Sequence, residues 1–146
     1  SYGGCMHNKD LPPSSGDFWN SFSGKVDVLK TYRFSFVVEN SMALDYATEK
    51  VYAPLHAGSV PIYMGPPNYL DFLPGNRSVI HVLDFLDPKS HTINIRKLAD
   101  LLLYLANNET AYLEYLDWRN EPPPENLAYL QSVVPGTALC RMCHCA

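Results

Sequence analysis

A chain of 146 residues, 47% apolar and 18% charged, has the size and composition of one ordinary globular domain with a buried core. Its net charge of −4, with no basic block, argues against a nucleic-acid surface, which needs a cationic stripe. No apolar run approaches the roughly 18 residues that span a bilayer. The chain opens on Ser1 without a signal peptide and reads as part of a longer protein, so an anchor elsewhere in that protein is left open.

In chain order, residues 1–24 are rich in Gly, Pro, Ser and Asn and read as a loop-heavy lead-in, with a short strand near Ser1 to Gly3. Lys25 to Lys30 fits a short helix. Residues 33–38, with Phe, Val and Ser and no breaker, predict a buried strand. Residues 46–57 read as a helix opened by Tyr46, with Pro54 a kink or early stop and Gly58 an end signal. Val60 to Met64 is a second buried strand, although Pro61 suits only a strand's start. Asn68 to Leu73 reads as a short helix and Val79 to Val82 as a third strand. Ile93 to Leu105 is the clearest helix, because Leu98, Leu101, Leu102 and Leu105 share one face. Glu109 to Arg119 reads as one further helix. Pro122 to Pro124 interrupt the pattern, and residues 125–133 read as a last short helix. This succession of strands and helices predicts an α/β fold, a Rossmann-like open parallel sheet with helices on both faces.

The most informative stretch is Tyr32 to Ser41 followed by Asp45 to Lys50: a strand, a polar turn and the first turn of a helix. Free backbone N–H groups and the helix dipole favour an anion at such a junction, where α/β proteins hold phosphates. Glu49 and Lys50 add a carboxylate and an ammonium beside it, an arrangement suited to a phosphorylated ligand that carries a sugar. Asn40 and Ser41 stand at the strand's carboxyl end, where ligands bind in open sheets, although a turn or a helix cap is the plainer reading of both. An exposed Glu–Lys pair on a helix and a core tyrosine are the plainer readings of Glu49, Lys50 and Tyr46. Glu39 is either functional or a satisfier of backbone donors in the turn.

Cys5, Cys140, Cys143 and Cys145 cluster at the two ends, as in a secretory domain closed by disulfides, with three connectivities open. Cys140 to His144 also fits a c-type haem attachment pattern, and the tail could ligate zinc, but structural zinc usually draws on two separated pairs. Two glycosylation sequons are present, at Asn76 and Asn108. No Asp-x-Asp pair marks a metal–diphosphate site, and Asp84 and Asp87 read as a solvated turn.

The stretches Tyr32 to Ser41 and Asp45 to Lys50 closely resemble the signature of the α-1,3-fucosyltransferases, glycosyltransferase family ten. The likeness continues through Leu55 to Ile62, Gly65 to Tyr69, Tyr104 to Asn108, Trp118-Arg119 and Cys140 to Cys143. Ser1 to Cys5 and the cysteine tail look most like the plant-type enzymes that fucosylate the N-glycan core. The resemblance implies the C-terminal half of a GT-B glycosyltransferase: residues 1–146 as part of a GDP-fucose-binding domain, with 120–146 a Pro- and Cys-rich tail. It implies Lys50 on the diphosphate and Glu49 on the fucose; Tyr46 at the helix start and Asn40 and Ser41 at the strand's end are expected as further donor contacts. The general base is expected from an acceptor domain upstream, so the fragment alone should be inactive. No cofactor is expected to be required, a divalent cation being at most stimulatory. The implied partners are GDP-fucose and a glycan acceptor, in the Golgi lumen, with the membrane anchor upstream. The competing readings are a Lewis-type enzyme acting on antenna glycans, a non-catalytic sugar-nucleotide or glycan module, and a secreted interaction domain held by its cysteines.

Overall fold

The computed structural model describes residues 22–133, together with Asn8 and Asp10. The cysteines, and with them the disulfide, haem and zinc readings, lie outside the described residues, as does the short strand expected near Ser1. The described elements are α1 (Phe22–Leu29), β1 (Phe34–Val38), α2 (Glu49–Ala57), β2 (Val60–Met64), β3 (Ile80–His81), β4 (Leu86–Asp87), β5 (Thr92–Ile93), α3 (Ile95–Asn107), α4 (Glu109–Leu113) and α5 (Glu125–Val133). Strands β1, β2 and β3 form a parallel sheet in that order, with Phe36 opposite Ile62 and Ile62 opposite Ile80.

Alternation along the strands sends side chains to two cores. Val37 and Tyr63 pack with Val51, Tyr52 and Leu55 of α2 on one face. Val60, Ile62 and Ile80 pack with Leu98 and Leu105 of α3 on the other. Helices therefore cover both faces, as the strand and helix order predicts. Pro61 is tolerated in the central strand because its missing N–H points to the β3 side, where pairing begins only at Ile62.

Helix α2 runs through Pro54 to Ala57 and ends on Gly58 in the left-handed conformation (φ 80°). Its last carbonyls are held from outside: Arg119 donates to Leu55 O at 2.8 Å and to His56 O at 3.0 Å. The guanidinium also faces the negative end of the helix dipole. This is the structural work of Arg119.

Three expectations need correction. The helix expected over 109–119 is broken: α4 stops at Leu113, and Asp117–Asn120 forms a separate 3-10 turn. The reason is packing, because Tyr112, Tyr115 and Leu116 join the α3-side core whereas Trp118 joins the α2-side core. A continuous helix could not serve both faces. Strand β3 ends at His81, since Val82 enters a 3-10 turn that buries Phe85, and a small antiparallel ribbon (β4–β5) follows. Asp87 Oδ1 closes that ribbon by accepting from Lys89 N at 2.8 Å and Ser90 N at 3.2 Å. Finally, β1 is buried on one side only. Phe34 meets Tyr112 edge to face, but Phe36 and Val38 remain 76% and 55% exposed on the strand at the sheet's edge among the described residues.

Candidate functional site

The site grows from the end of β1. Glu39 N donates to Met64 O at 2.9 Å, so the ladder with β2 continues one residue past the strand. Alternation then turns the Glu39 side chain to the α2 face, like Ser35 and Val37. The Glu39 carboxylate is fully buried beneath the start of α2. Its Oε1 accepts from Thr48 N at 3.0 Å and its Oε2 from the Thr48 hydroxyl at 2.7 Å. Tyr63 Oη donates to Oε1 at 3.4 Å, and Lys50 Nζ stands 3.8 Å from Oε2.

Thr48 is the N-cap, extended in backbone, and its hydroxyl accepts from Lys50 N at 3.4 Å. A carboxylate at a helix N-terminus is favoured by the dipole. Part of the anion-binding capacity that the sequence assigns to a ligand is therefore taken by Glu39. What remains for a ligand is the Lys50 ammonium, which donates to Asn40 Oδ1 at 2.7 Å on a side chain that is one-third exposed.

Glu49 and Lys50 both line a groove of about 480 Å³ between α1, α2 and the outer edge of β1, with Lys25, Phe36 and Val38 on the same walls. No ion pair or hydrogen bond engages the Glu49 carboxylate among the described residues. Lys25 was not legible as a site residue, because only the packing of α1 on α2 brings it there. Ser41 closes a turn, its hydroxyl accepting from Ala43 N at 3.1 Å. Tyr46 does not open α2. It lies in the preceding loop, 37% exposed, because the cap is Thr48. That loop is fastened by Asn68, which accepts from Asp45 N at 3.1 Å and donates to Asp45 Oδ1 at 2.7 Å, while Asp45 takes φ 62°.

Tyr63 and His81 were not singled out as site residues in the sequence, and both sit at the carboxyl end of the sheet. Burial pushes the Tyr63 phenol far above its usual range, and the nearby Glu39 charge raises it further, so Tyr63 serves as a donor only. Gly65 makes room for that ring, since a Cβ there would fall 2.2 Å from the Tyr63 hydroxyl. His81 stacks on Tyr69 with ring centres 4.0 Å apart, and its Nδ1 lies 3.8 Å from Asp84. Burial lowers the His81 pKa, with Asp84 opposing.

Comparison with known proteins agrees with this architecture. The model of glycosyltransferase family 10 (fucosyltransferase), C-terminal region, matches residues 1–146. A GDP-fucose protein O-fucosyltransferase 3 of Xenopus laevis is 39% identical over 120 residues, 82% of this chain and 24% of that protein. The Danio rerio protein of the same name is 39% identical over 139 residues, 91% of this chain and 28% of its own. A fucosyltransferase-like protein of Arabidopsis thaliana is 36% identical over 143 residues, 98% of this chain and 25% of its own. The chain thus spans about a quarter of the length of the relatives it matches. Its parallel sheet with helices on both faces is consistent with the C-terminal half of a GT-B glycosyltransferase. The chain belongs to glycosyltransferase family 10, the fucosyltransferases, as their C-terminal domain.

Proposed function

We propose that the protein containing this domain transfers L-fucose from GDP-fucose to a hydroxyl with inversion, and that this domain holds the donor. The observation that carries the reading is Lys50, tethered by Asn40 and paired with Glu39 at the mouth of a groove that Glu49 shares. As the bond from fucose C1 to the diphosphate oxygen breaks, its electron pair moves onto the phosphate while positive charge grows on the sugar ring. A fixed ammonium beside the first and a carboxylate beside the second stabilise both ends. The acceptor hydroxyl attacks C1 from the opposite face and gives its proton to a base in an upstream domain. Lys50 supplies positive charge to the diphosphate without a metal, so transfer should persist in chelator, and complete loss there would reject this feature. Tyr46, Asn40 and Ser41 complete the donor contacts in this reading.

For the acceptor, the names of the Xenopus laevis and Danio rerio relatives favour a hydroxyl on a protein. The second reading is the 3-hydroxyl of N-acetylglucosamine in the N-glycan core, or in an antenna glycan. It is favoured by the likeness of the signature and of the cysteine-bearing ends to α-1,3-fucosyltransferases. Either acceptor suits a Golgi-lumen enzyme anchored through an upstream segment. A transfer assay offering GDP-fucose with folded protein domains, core N-glycans and antenna glycans separates these readings. Donor binding with transfer to none of them would favour a non-catalytic module.

The donor assignment is tested by calorimetry with GDP on the full-length protein. Lys50→Ala should weaken binding by about 1.5–3 kcal/mol, the value of a hydrogen bond to a charged group. That is roughly tenfold to a hundredfold in Kd. Unchanged affinity would overturn the role of Lys50.

A further inference from the structure

We propose that Glu39 is a positioning residue for donor binding: its buried carboxylate fixes the Lys50 ammonium and the start of α2 in place before the diphosphate arrives. This role rests on the donor-binding function proposed above. Glu39 itself does not border the groove, since its carboxylate is fully buried. Whatever it contributes to a ligand must pass through another residue.

The arrangement is hard to explain as packing. A carboxylate removed from water is strongly disfavoured unless its oxygens are satisfied. Here both oxygens are spent on one junction: Thr48 N and the Thr48 hydroxyl at the cap of α2, the Tyr63 hydroxyl from β2, and the Lys50 ammonium at ion-pair range. Glu39 therefore joins the ends of β1 and β2 to the first turn of α2. An ammonium carries three donors on a flexible stem. Asn40 takes one at 2.7 Å, Glu39 attracts the group from 3.8 Å, and the donor that neither takes is left to a ligand oxygen. Fixing the stem in advance removes its rotamer freedom from the balance of binding. Tyr63 braces Glu39 from the far side, and Gly65 leaves the room that this tyrosine needs.

The test is a double-mutant cycle read by GDP calorimetry on the full-length protein: wild type, Glu39→Gln, Lys50→Met and both together. Glu39→Gln keeps the shape of the side chain and removes its charge. It is expected to raise the Kd about tenfold alone and to change little in the Lys50→Met background, because coupled residues are not additive. Equal losses in both backgrounds, or wild-type affinity for Glu39→Gln, would overturn the role. Should Glu39→Gln not fold, Tyr63→Phe enters the same cycle. It is expected to weaken binding severalfold with Lys50 present and to have no effect in the Lys50→Met background, and equal losses again overturn the role. Wild-type protein that binds no GDP would overturn the donor-binding function itself, and with it this role. Additive losses in a wild type that does bind would remove only the assignment of Glu39.

Discussion

Lys50 Nζ lies 2.7 Å from Asn40 Oδ1, so a side chain in the first turn of α2 is tied to the residue just past the end of β1. The bond is exposed, which limits its worth to the fold but not its effect on where the ammonium points. Asn40→Ala should leave stability within about 0.5 kcal/mol, as for other surface changes. GDP affinity should fall by about twofold to tenfold, the equivalent of one modest hydrogen bond. Urea unfolding and GDP titration on the same preparation check both halves. A variant that loses stability but keeps affinity would make Asn40 a turn residue and nothing more.

Thr48 performs two tasks with one hydroxyl, donating to Glu39 Oε2 and accepting from Lys50 N. Thr48→Ala removes an N-cap, worth about 0.5–2 kcal/mol. It also strips a partner from a buried carboxylate, a loss of similar size. Together the destabilisation should reach about 2 kcal/mol or more by urea unfolding. Thr48→Ser keeps the hydroxyl and should recover most of it. Equal losses in the two variants would mean that the methyl group, not the hydroxyl, matters at this position.

How much of this was legible follows from the range of each interaction. Strands β1 and β2 and helix α3 show in local patterns: a short stretch rich in Phe and Val for β1, an apolar run for β2, and leucines three and four residues apart for the helix. Gly58 marks the end of α2 for a local reason, its left-handed φ. The start of α2 is also legible, because Thr48 followed by an acidic first turn is a cap signal, and the expectation of a helix from Tyr46 passes over it. Glu49 and Lys50 were legible as a pair from the signature. Their separate settings were not, since Lys50 is held by Glu39 and Asn40 through the β1–β2 register and Glu49 is not. The burial of Glu39, the approach of Tyr63 to it and the arrival of Lys25 at the groove are all tertiary. The break after α4 is tertiary as well, because it depends on which core receives Trp118.

Gly65 has no backbone need to be glycine, but its missing Cβ leaves space for Tyr63. A methyl group there would sit 2.2 Å from both the hydroxyl oxygen and the ring carbon that bears it. Because Tyr63 is only 1% exposed, the ring cannot move into solvent. Gly65→Ala should therefore cost about 1–3 kcal/mol, the usual range for overpacking. It should also move the hydroxyl away from Glu39 and weaken GDP binding. Normal stability and normal affinity together would show that the loop after β2 yields instead.

His81 gives the domain a sensitivity to acid that can be signed in advance. It is 5% exposed, stacked on Tyr69, and its Nε2 has no hydrogen-bond partner among the described residues. Burial lowers its folded pKa below the ordinary 6.5, and Asp84 offsets only part of that. The unfolded chain thus binds a proton that the folded chain refuses. Stability is full above about pH 6.5 and declines as pH falls below it, until the folded His81 also protonates. Replacing the imidazole by a ring that cannot titrate removes this dependence, so His81→Phe should flatten the stability profile below about pH 6.5. Asp84→Asn should do the reverse: without the carboxylate to favour imidazolium, the folded pKa drops further and the acid loss deepens. Chemical unfolding of the three proteins across this range is the measurement. Parallel profiles in wild type and His81→Phe would mean that the acid response comes from other groups.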